Sequence, residues 1–475
     1  MIIKNVKATQ KIENTIYLIN RKSDFSKLGL LKEESSYLRS QISKEATQII
    51  LNRYSKLIIF ILPKESEHKQ QYVENARKEG FKINSLLNLQ KVTEVLIIDT
   101  INNGDLTVGL IEGIALTNYQ FLKYQNDAST KKNTLTKIFV SSKKVNDIKT
   151  DALQCVIKGV YKARDLVNEP PNFLTATQLS KEIEAMGLDS GFTTKVFNKE
   201  KITELKMGGL LAVNRGSVEP PTFNILEYKN KKAKNTIPYV IVGKGIVYDT
   251  GGLSLKPTEG MDTMKADMGG AAAVAGAIYA IAKSNLPIHI IGLIPSTDNR
   301  PGGDAYTNGD VIKMYSGLTV EILNTDAEGR IVLADALAYA KQFKPALVVD
   351  IATLTGAASA AVGKEAVVAM GNAPKEQMDL LKESGFNVFE RIVEFPFWDD
   401  YSEYLKSDIA DMKNIGGKTA GAITAGKFLE RFTDYPYIHI DIAGSAFLQT
   451  LDSYRGKGAT GVGVRLLYDF FHEKV

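Results

Sequence analysis

The stretch from Glu321 to Leu337, EILNTDAEGRIVLADAL, limits what this chain can become more than any other. Val320, Ile322 and Leu323 read as a strand that runs into a polar turn, and Ile331, Leu333, Ala334 and Leu337 then recur at helical spacing. Asp326, Glu328 and Arg330 crowd the turn between them. Two acids and a guanidinium at a strand's carboxyl end are costly to bury and need a compensating partner. Open α/β sheets bind their ligands at such strand ends. The expectation is that Asp326 and Glu328 hold metal and that Arg330 holds an anion beside it.

A second stretch, Val242 to Gly270, supplies matching chemistry. A buried strand ends at Val242, and a glycine-rich connection then carries Lys244, Asp249, Lys256 and Asp267 to the start of a helix near Gly269. For any one of these residues a surface ion pair is the default reading. Together with Asp326 and Glu328 they would bring four acids and two lysines to one sheet edge. Leaving that many charges unpaired would cost several kcal/mol each, roughly. Two divalent metals with mainly oxygen ligands would resolve the imbalance. Such a pair can make a shared water into hydroxide and polarise a carbonyl. A free cation, here Lys256, can then stabilise the oxyanion of a tetrahedral intermediate. That is equipment for hydrolysing an amide.

Other metal chemistries are poorly provided for. The four histidines, His68, His289, His439 and His472, have no paired spacing, and Cys155 is the single cysteine. Histidine-based and cysteine-rich zinc sites and a disulfide framework are therefore not expected. A net charge of +5, from 59 basic and 54 acidic residues among 475, gives no argument for nucleic acid or an anionic membrane. The opening MIIKNVKATQK lacks the apolar core of a secretory signal, and the longest small-apolar run, Gly269 to Ala282, is too short to span a bilayer. A soluble, cytoplasmic protein is expected.

The length implies two domains. Residues 1–149 read as an α/β scaffold or assembly domain, with strands at Leu57–Leu62, Val92–Asp99 and Lys137–Ser141. Helices are expected at Glu67–Lys78, closed by Gly80, and at Leu106–Tyr124. The break is expected in the polar stretch Ser142 to Lys149. Residues 150–475 read as the catalytic domain, a mostly parallel central sheet covered by helices on both faces. Its strands are expected at Phe223–Tyr228, Pro238–Val242, Ile288–Ile294, Leu347–Ile351 and Ile438–Ile442. Its helices are expected at Gly269–Lys283, Thr419–Phe432 and Val464–His472.

At these residues the chain resembles the cytosolic leucyl aminopeptidases, a family of two-metal, hexameric enzymes. NTDAEGRIVLADAL and MKADMGGAAAV, with VGKG, Asp249 and Lys256 at the expected spacing, are similar to that family's site segments. RDLVNEPPN, DIATLTGA, LKSDIADMKNIGG and HIDIAG follow the family's order, so the resemblance covers about residues 150–475.

The resemblance implies a metal-dependent aminopeptidase that releases leucine-like N-terminal residues from peptides. It implies Asp249 and Glu328 bridging two divalent metals, zinc or manganese with magnesium or cobalt as alternatives. Lys244, as a neutral amine, and Asp267 would complete the tighter site, and Asp326 the more exchangeable one. Lys256 would polarise the scissile carbonyl. Arg330, always protonated and no base itself, would hold a bicarbonate that shuttles the proton. The substrate's α-amine would meet a metal and Asp267, and Met264, Thr353, Leu354 and Gly356 would line the pocket for the first side chain. A homohexamer is implied. Departures from the family pattern are Asp298-Asn299, Asn308-Gly309-Asp310 and Tyr437. Two competing readings are a two-metal phosphatase, using Lys256 and Arg330 for phosphate, and a DNA-binding or regulatory protein on the same fold.

Overall fold

The computed structural model describes residues 1–7 and 12–475; the opening MIIKNVKATQK therefore lies partly outside the described residues. The chain forms two compact units, Met1–Ile157 with Leu451–Gly456, and Lys158–Thr450 with Lys457–Val475. The helix Asp147–Asn168 runs through the division. The polar stretch expected to separate the domains ends as this helix's first turn, where the Asn146 side chain accepts from the Lys149 amide at 3.0 Å.

The first unit holds strands β1 (Ile2–Asn5), β2 (Thr15–Leu18), β3 (Gln48–Asn52), β4 (Leu57–Ile61), β5 (Glu94–Asp99) and β6 (Lys137–Ser141), in the order β1-β6-β5-β2-β4-β3. Only the β3–β4 pair is antiparallel. β4 is buried along its whole length, as a continuous apolar run in a covered parallel sheet should be. Gly80, expected to close a helix, instead lies inside the helix Lys69–Leu89. Its reason is packing. A Cβ at Gly80 would stand 2.5 Å from the Leu110 carbonyl oxygen of the helix Gly104–Thr117, and one at Gly113 would stand 2.1 Å from that of Arg77. These two helices pack backbone to backbone, which only glycine permits.

The second unit adds β7 (Thr193–Phe197), β8 (Thr222–Lys229), β9 (Tyr239–Gly243), β10 (Gly245–Asp249), β11 (His289–Asn299), β12 (Val311–Lys313), β13 (Thr319–Glu321), β14 (Leu347–Ala352), β15 (Val367–Gly371), β16 (Ile392–Glu394), β17 (Met412–Lys413) and β18 (Tyr437–Asp441). The main sheet has nine strands, in the order β16-β15-β18-β14-β9-β11-β8-β7 with β10 paired to β11. β10, β11, β9, β14 and β18 run parallel, while β7–β8, β8–β11 and β15–β18 are antiparallel. On one face the helices Glu328–Ala340 and Gly421–Glu430 pack Ile331, Leu337 and Phe428, with Phe432 just past the second helix, against Val240, Val242, Val348 and Tyr437. The helix Gly269–Lys283, buried on every side as far as Ala282, packs against β9, β11 and β14. The fold class therefore matches the expectation of two α/β units, the larger one mostly parallel.

One placement differs. The strand ahead of Asp326 is not part of the main sheet. β13 is three residues long and joins β12 and β17 in a small side sheet, with Leu323 beyond it 39% exposed. A short apolar run does not reveal which sheet it joins.

Candidate active site

Three parallel strands deliver the first components. β9 ends at Gly243, which places Lys244 at its carboxyl end; β10 ends on Asp249; β14 ends at Ala352 and releases Thr353 to Gly356. Asp267 sits in a single 3₁₀ turn, Met264–Met268, that leads into the helix Gly269–Lys283. Asp326 lies in the turn after the side sheet, and Glu328 opens the helix Glu328–Ala340. A negative side chain suits a helix N-terminus, where the backbone amides are unpaired.

All eleven residues singled out in the sequence line one cavity of about 560 Å³: Lys244, Asp249, Lys256, Met264, Asp267, Asp326, Glu328, Arg330, Thr353, Leu354 and Gly356. Lys244 Nζ lies 2.8 Å from Asp267 Oδ2, 3.0 Å from Glu328 Oε1 and 3.1 Å from the Thr353 carbonyl oxygen. Gly329 leaves room for it, since a Cβ there would stand 2.6 Å from Nζ and the lysine end would have to shift. Lys256 Nζ lies 2.8 Å from Asp249 Oδ2 and also pairs with Asp326 Oδ1. Ligand oxygens of Asp249, Asp326 and Glu328 all fall within 4.8 Å of one another.

The charges do not balance. Four carboxylates face two ammonium groups, and Lys244, Asp249, Asp267 and Glu328 are all buried. Burial and the surrounding negative charge push the carboxyls of Glu328, Asp267 and Asp326 above their ordinary range. Burial alone would push Lys244 and Lys256 down, yet the neighbouring acids outweigh it and push both up. Burial is the larger cause for the carboxyls, and the crowding of acids adds to it; the same acids are what raise the lysines. Each lysine thus stands in for a cation between two carboxylates. Glu328 Oε2 is buried and accepts no hydrogen bond. Oxygen donors in surplus, an amine within reach and an unpartnered carboxylate oxygen form a donor set that suits divalent metal.

Arg330 is buried beside the acids. One guanidinium nitrogen donates to the Asn414 carbonyl at 2.7 Å, and Nε has no hydrogen-bond partner. Burial lowers its pKa to about 10 despite the pull of Glu328 and Asp441. Even so it stays cationic at neutral pH, so it can hold an anion and cannot serve as a base.

Sequence reasoning missed the residues that brace this constellation. Asn299, Tyr306 and Asp441 are almost fully buried. Tyr306 donates to the Thr325 carbonyl at 2.8 Å. Asp441 accepts from the Leu354 amide at 3.1 Å and the Thr355 hydroxyl at 2.7 Å, which fixes the loop after β14. The sequence signals carried no role: Asp441 lies in HIDIAG, and Asn299 stood out only in the departure Asp298-Asn299.

Comparison with known proteins shows the family and the fold. The description "Cytosol aminopeptidase family, catalytic domain" matches residues 161–468. A probable cytosol aminopeptidase of Chlorobaculum parvum is 53% identical over 311 residues, 65% of this chain and 61% of that protein. One of Chlorobium phaeobacteroides is 45% identical over 380 residues, 77% of this chain and 75% of that protein. The chain thus aligns with about three fifths of the length of the first of these relatives. The solved structure of a bottromycin maturation enzyme in complex with Mn superposes with a TM-score of 0.85 at 27% identity, covering 97% of this chain and 99% of the other. Among the described residues no helix is long and apolar enough to cross a membrane.

Proposed function

This chain belongs to the cytosol aminopeptidase family, and from that premise we propose that it is a metal-dependent aminopeptidase that removes leucine-like residues from the N-termini of peptides. The observation that carries the proposal is the buried surplus of carboxylate, with Glu328 Oε2 left unpartnered inside a cavity large enough for a side chain. A pair of divalent metals, zinc or manganese, with magnesium or cobalt as alternatives, would supply a Lewis acid and an acidified water.

The chain's own residues have the following parts. Asp249 and Glu328 would hold both metals. Asp267 with Lys244 would complete the ligands of one, and Asp326 those of the other. Lys244 binds as the free amine, because a metal and a proton compete for the same lone pair. In that form Lys244 would give up its ion pairs with Asp267 and Glu328. Lys256, once freed from Asp249 and Asp326, donates to the carbonyl oxygen of the scissile amide, where negative charge develops. Arg330 seats a bicarbonate through its unpartnered Nε. Asp267 faces the substrate's α-amine, which restricts cleavage to the first residue. Met264, Thr353, Leu354 and Gly356 bound the space for that residue's side chain. Residues 1–149 serve as a scaffold for assembly into a homohexamer, and the enzyme acts in the cytoplasm.

The decisive experiment is elemental analysis of the purified protein, paired with turnover of a leucine amide before and after chelation. The expected result is about two divalent ions per chain and activity that is lost on chelation and restored by manganese or zinc. Full activity in metal-free protein would overturn the proposal. Light scattering should report six copies, and a monomer at working concentration would refute the hexamer.

A further inference from the structure

Asp249 reaches the site through an irregularity in the sheet. β10 and β11 pair Gly245 with Ser296 and Ile246 with Thr297, and then Asp249 with Asn299. β10 spends three residues where β11 spends two. A regular ladder would have set Tyr248 opposite Asn299 and turned Asp249 to the other face. The extra residue is a β-bulge, a device that re-aims a side chain beside a site.

Asn299 uses the position that the bulge creates. It is fully buried at the end of β11. Its amide nitrogen donates to Asp249 Oδ1 at 2.9 Å and to the Thr325 carbonyl oxygen at 3.0 Å. Its backbone carbonyl oxygen accepts from the Thr250 amide at 3.0 Å and the Thr250 hydroxyl at 2.8 Å, while its side-chain Oδ1 accepts no hydrogen bond. Through that nitrogen alone, one neutral side chain ties the strand that ends in Asp249 to the turn that carries Asp326 and Glu328. The same two segments meet a second time, where the Thr325 hydroxyl donates to the Gly251 carbonyl at 2.7 Å, but that bond does not touch a carboxylate. A position facing this many acids needs a donor without charge. Aspartate would add another carboxylate, and lysine would be a competing cation.

We propose that Asn299 is a positioning residue that sets the spacing between Asp249 and the Asp326–Glu328 turn, and so the affinity of the divalent-metal cradle. The inference rests on the metal reading given above. Ligand carboxylates are oriented by the groups that hydrogen-bond to them, and loss of such a partner costs about 10–100-fold in metal affinity.

The test is calorimetric titration of chelated full-length protein with Mn²⁺, with thermal midpoints recorded in the same metal-free samples. Asn299→Leu keeps the approximate shape and removes the donor. Affinity for Mn²⁺ should fall about 10–100-fold. Tyr306→Phe is the control. It strips the Thr325 carbonyl of its other donor and leaves Asp249 untouched, so a purely structural role predicts equal losses from both variants. The expected result is a much larger loss of Mn²⁺ affinity in Asn299→Leu. Equal losses, or wild-type affinity in Asn299→Leu, would overturn the inference. Should Asn299→Leu not fold, Asn299→Ser carries the test, since its short hydroxyl cannot reach both acceptors. Wild-type affinity in folded Asn299→Ser would equally overturn it. Absence of Mn²⁺ binding by the unsubstituted protein would instead sink the metal reading itself.

Discussion

Asp99 and Asp249 occupy equivalent places in the two sheets, each the last residue of a parallel strand and each buried. Asp99 is content with local donors. One oxygen accepts from the Ile101 and Asn103 amides, both at 3.2 Å, and the other from the Ser142 hydroxyl at 2.7 Å. Asp249 likewise accepts from an amide, that of Gly251 at 2.8 Å, and from Asn299. Its second oxygen, however, faces Lys256, and Asp326 and Glu328 crowd around it. A strand's carboxyl end is therefore only an opportunity. An aspartate there is structural when both its oxygens are taken by neutral donors. It becomes a candidate ligand when further acids share its space and neutral donors run out.

The comparison breaks most visibly at Glu328. Glu328→Ala should lower turnover of a leucine amide by more than about 1,000-fold, the scale seen when a member of a catalytic unit is removed. It should also lower metal content measured by elemental analysis. Retained metal with near-normal rate would show that the crowding has no catalytic purpose. Lys256→Ala separates binding from chemistry. It should keep its metal and lose about 10²–10³-fold in kcat, the usual cost of one oxyanion donor, and an unchanged kcat would remove Lys256 from the reaction.

A pH series on chelated protein tests the charge surplus itself. Glu328, Asp267 and Asp326 have raised pKa values in the folded chain, chiefly from burial. The folded state therefore holds protons that the unfolded state has already released, and stability falls as pH rises past the ordinary carboxylate range, from about pH 5 upward. Lys244 and Lys256 have raised values too, so their ionic contribution persists until strongly alkaline pH. Thermal midpoints of metal-free protein should decline over this range, and saturating Mn²⁺ should lift the high-pH side most. A metal-free midpoint that climbs instead would contradict the surplus.

The smallest effect belongs to the other aspartate. Asp99→Ala leaves buried donors unmet and should cost about 1–3 kcal/mol of stability. Metal content and kcat should stay as they are in the unsubstituted protein. A loss of metal in this variant would erase the distinction between the two positions.

Much of this site was legible in the sequence because its residues sit in short, chemically dense stretches. Asp326, Glu328 and Arg330 stand within five consecutive residues, and Lys244, Asp249, Lys256 and Asp267 along one glycine-rich connection. Apolar runs and helical spacing placed the strand Lys137–Ser141 and the helices Gly269–Lys283 and Val464–His472 at their observed bounds. Those patterns are local, and the backbone obeys them locally. What remained hidden depends on neighbours distant in sequence. Gly80 continues a helix because another helix's backbone lies against it. β13 joins a side sheet because β12 and β17 meet it there. Asp249 faces the cavity because β10 gains one residue over β11, a register that exists only once the two strands pair. Residue types and their spacing state which charges a chain must reconcile. Only the packed sheet decides which oxygens point inward, because orientation is set by hydrogen bonds that close across strands.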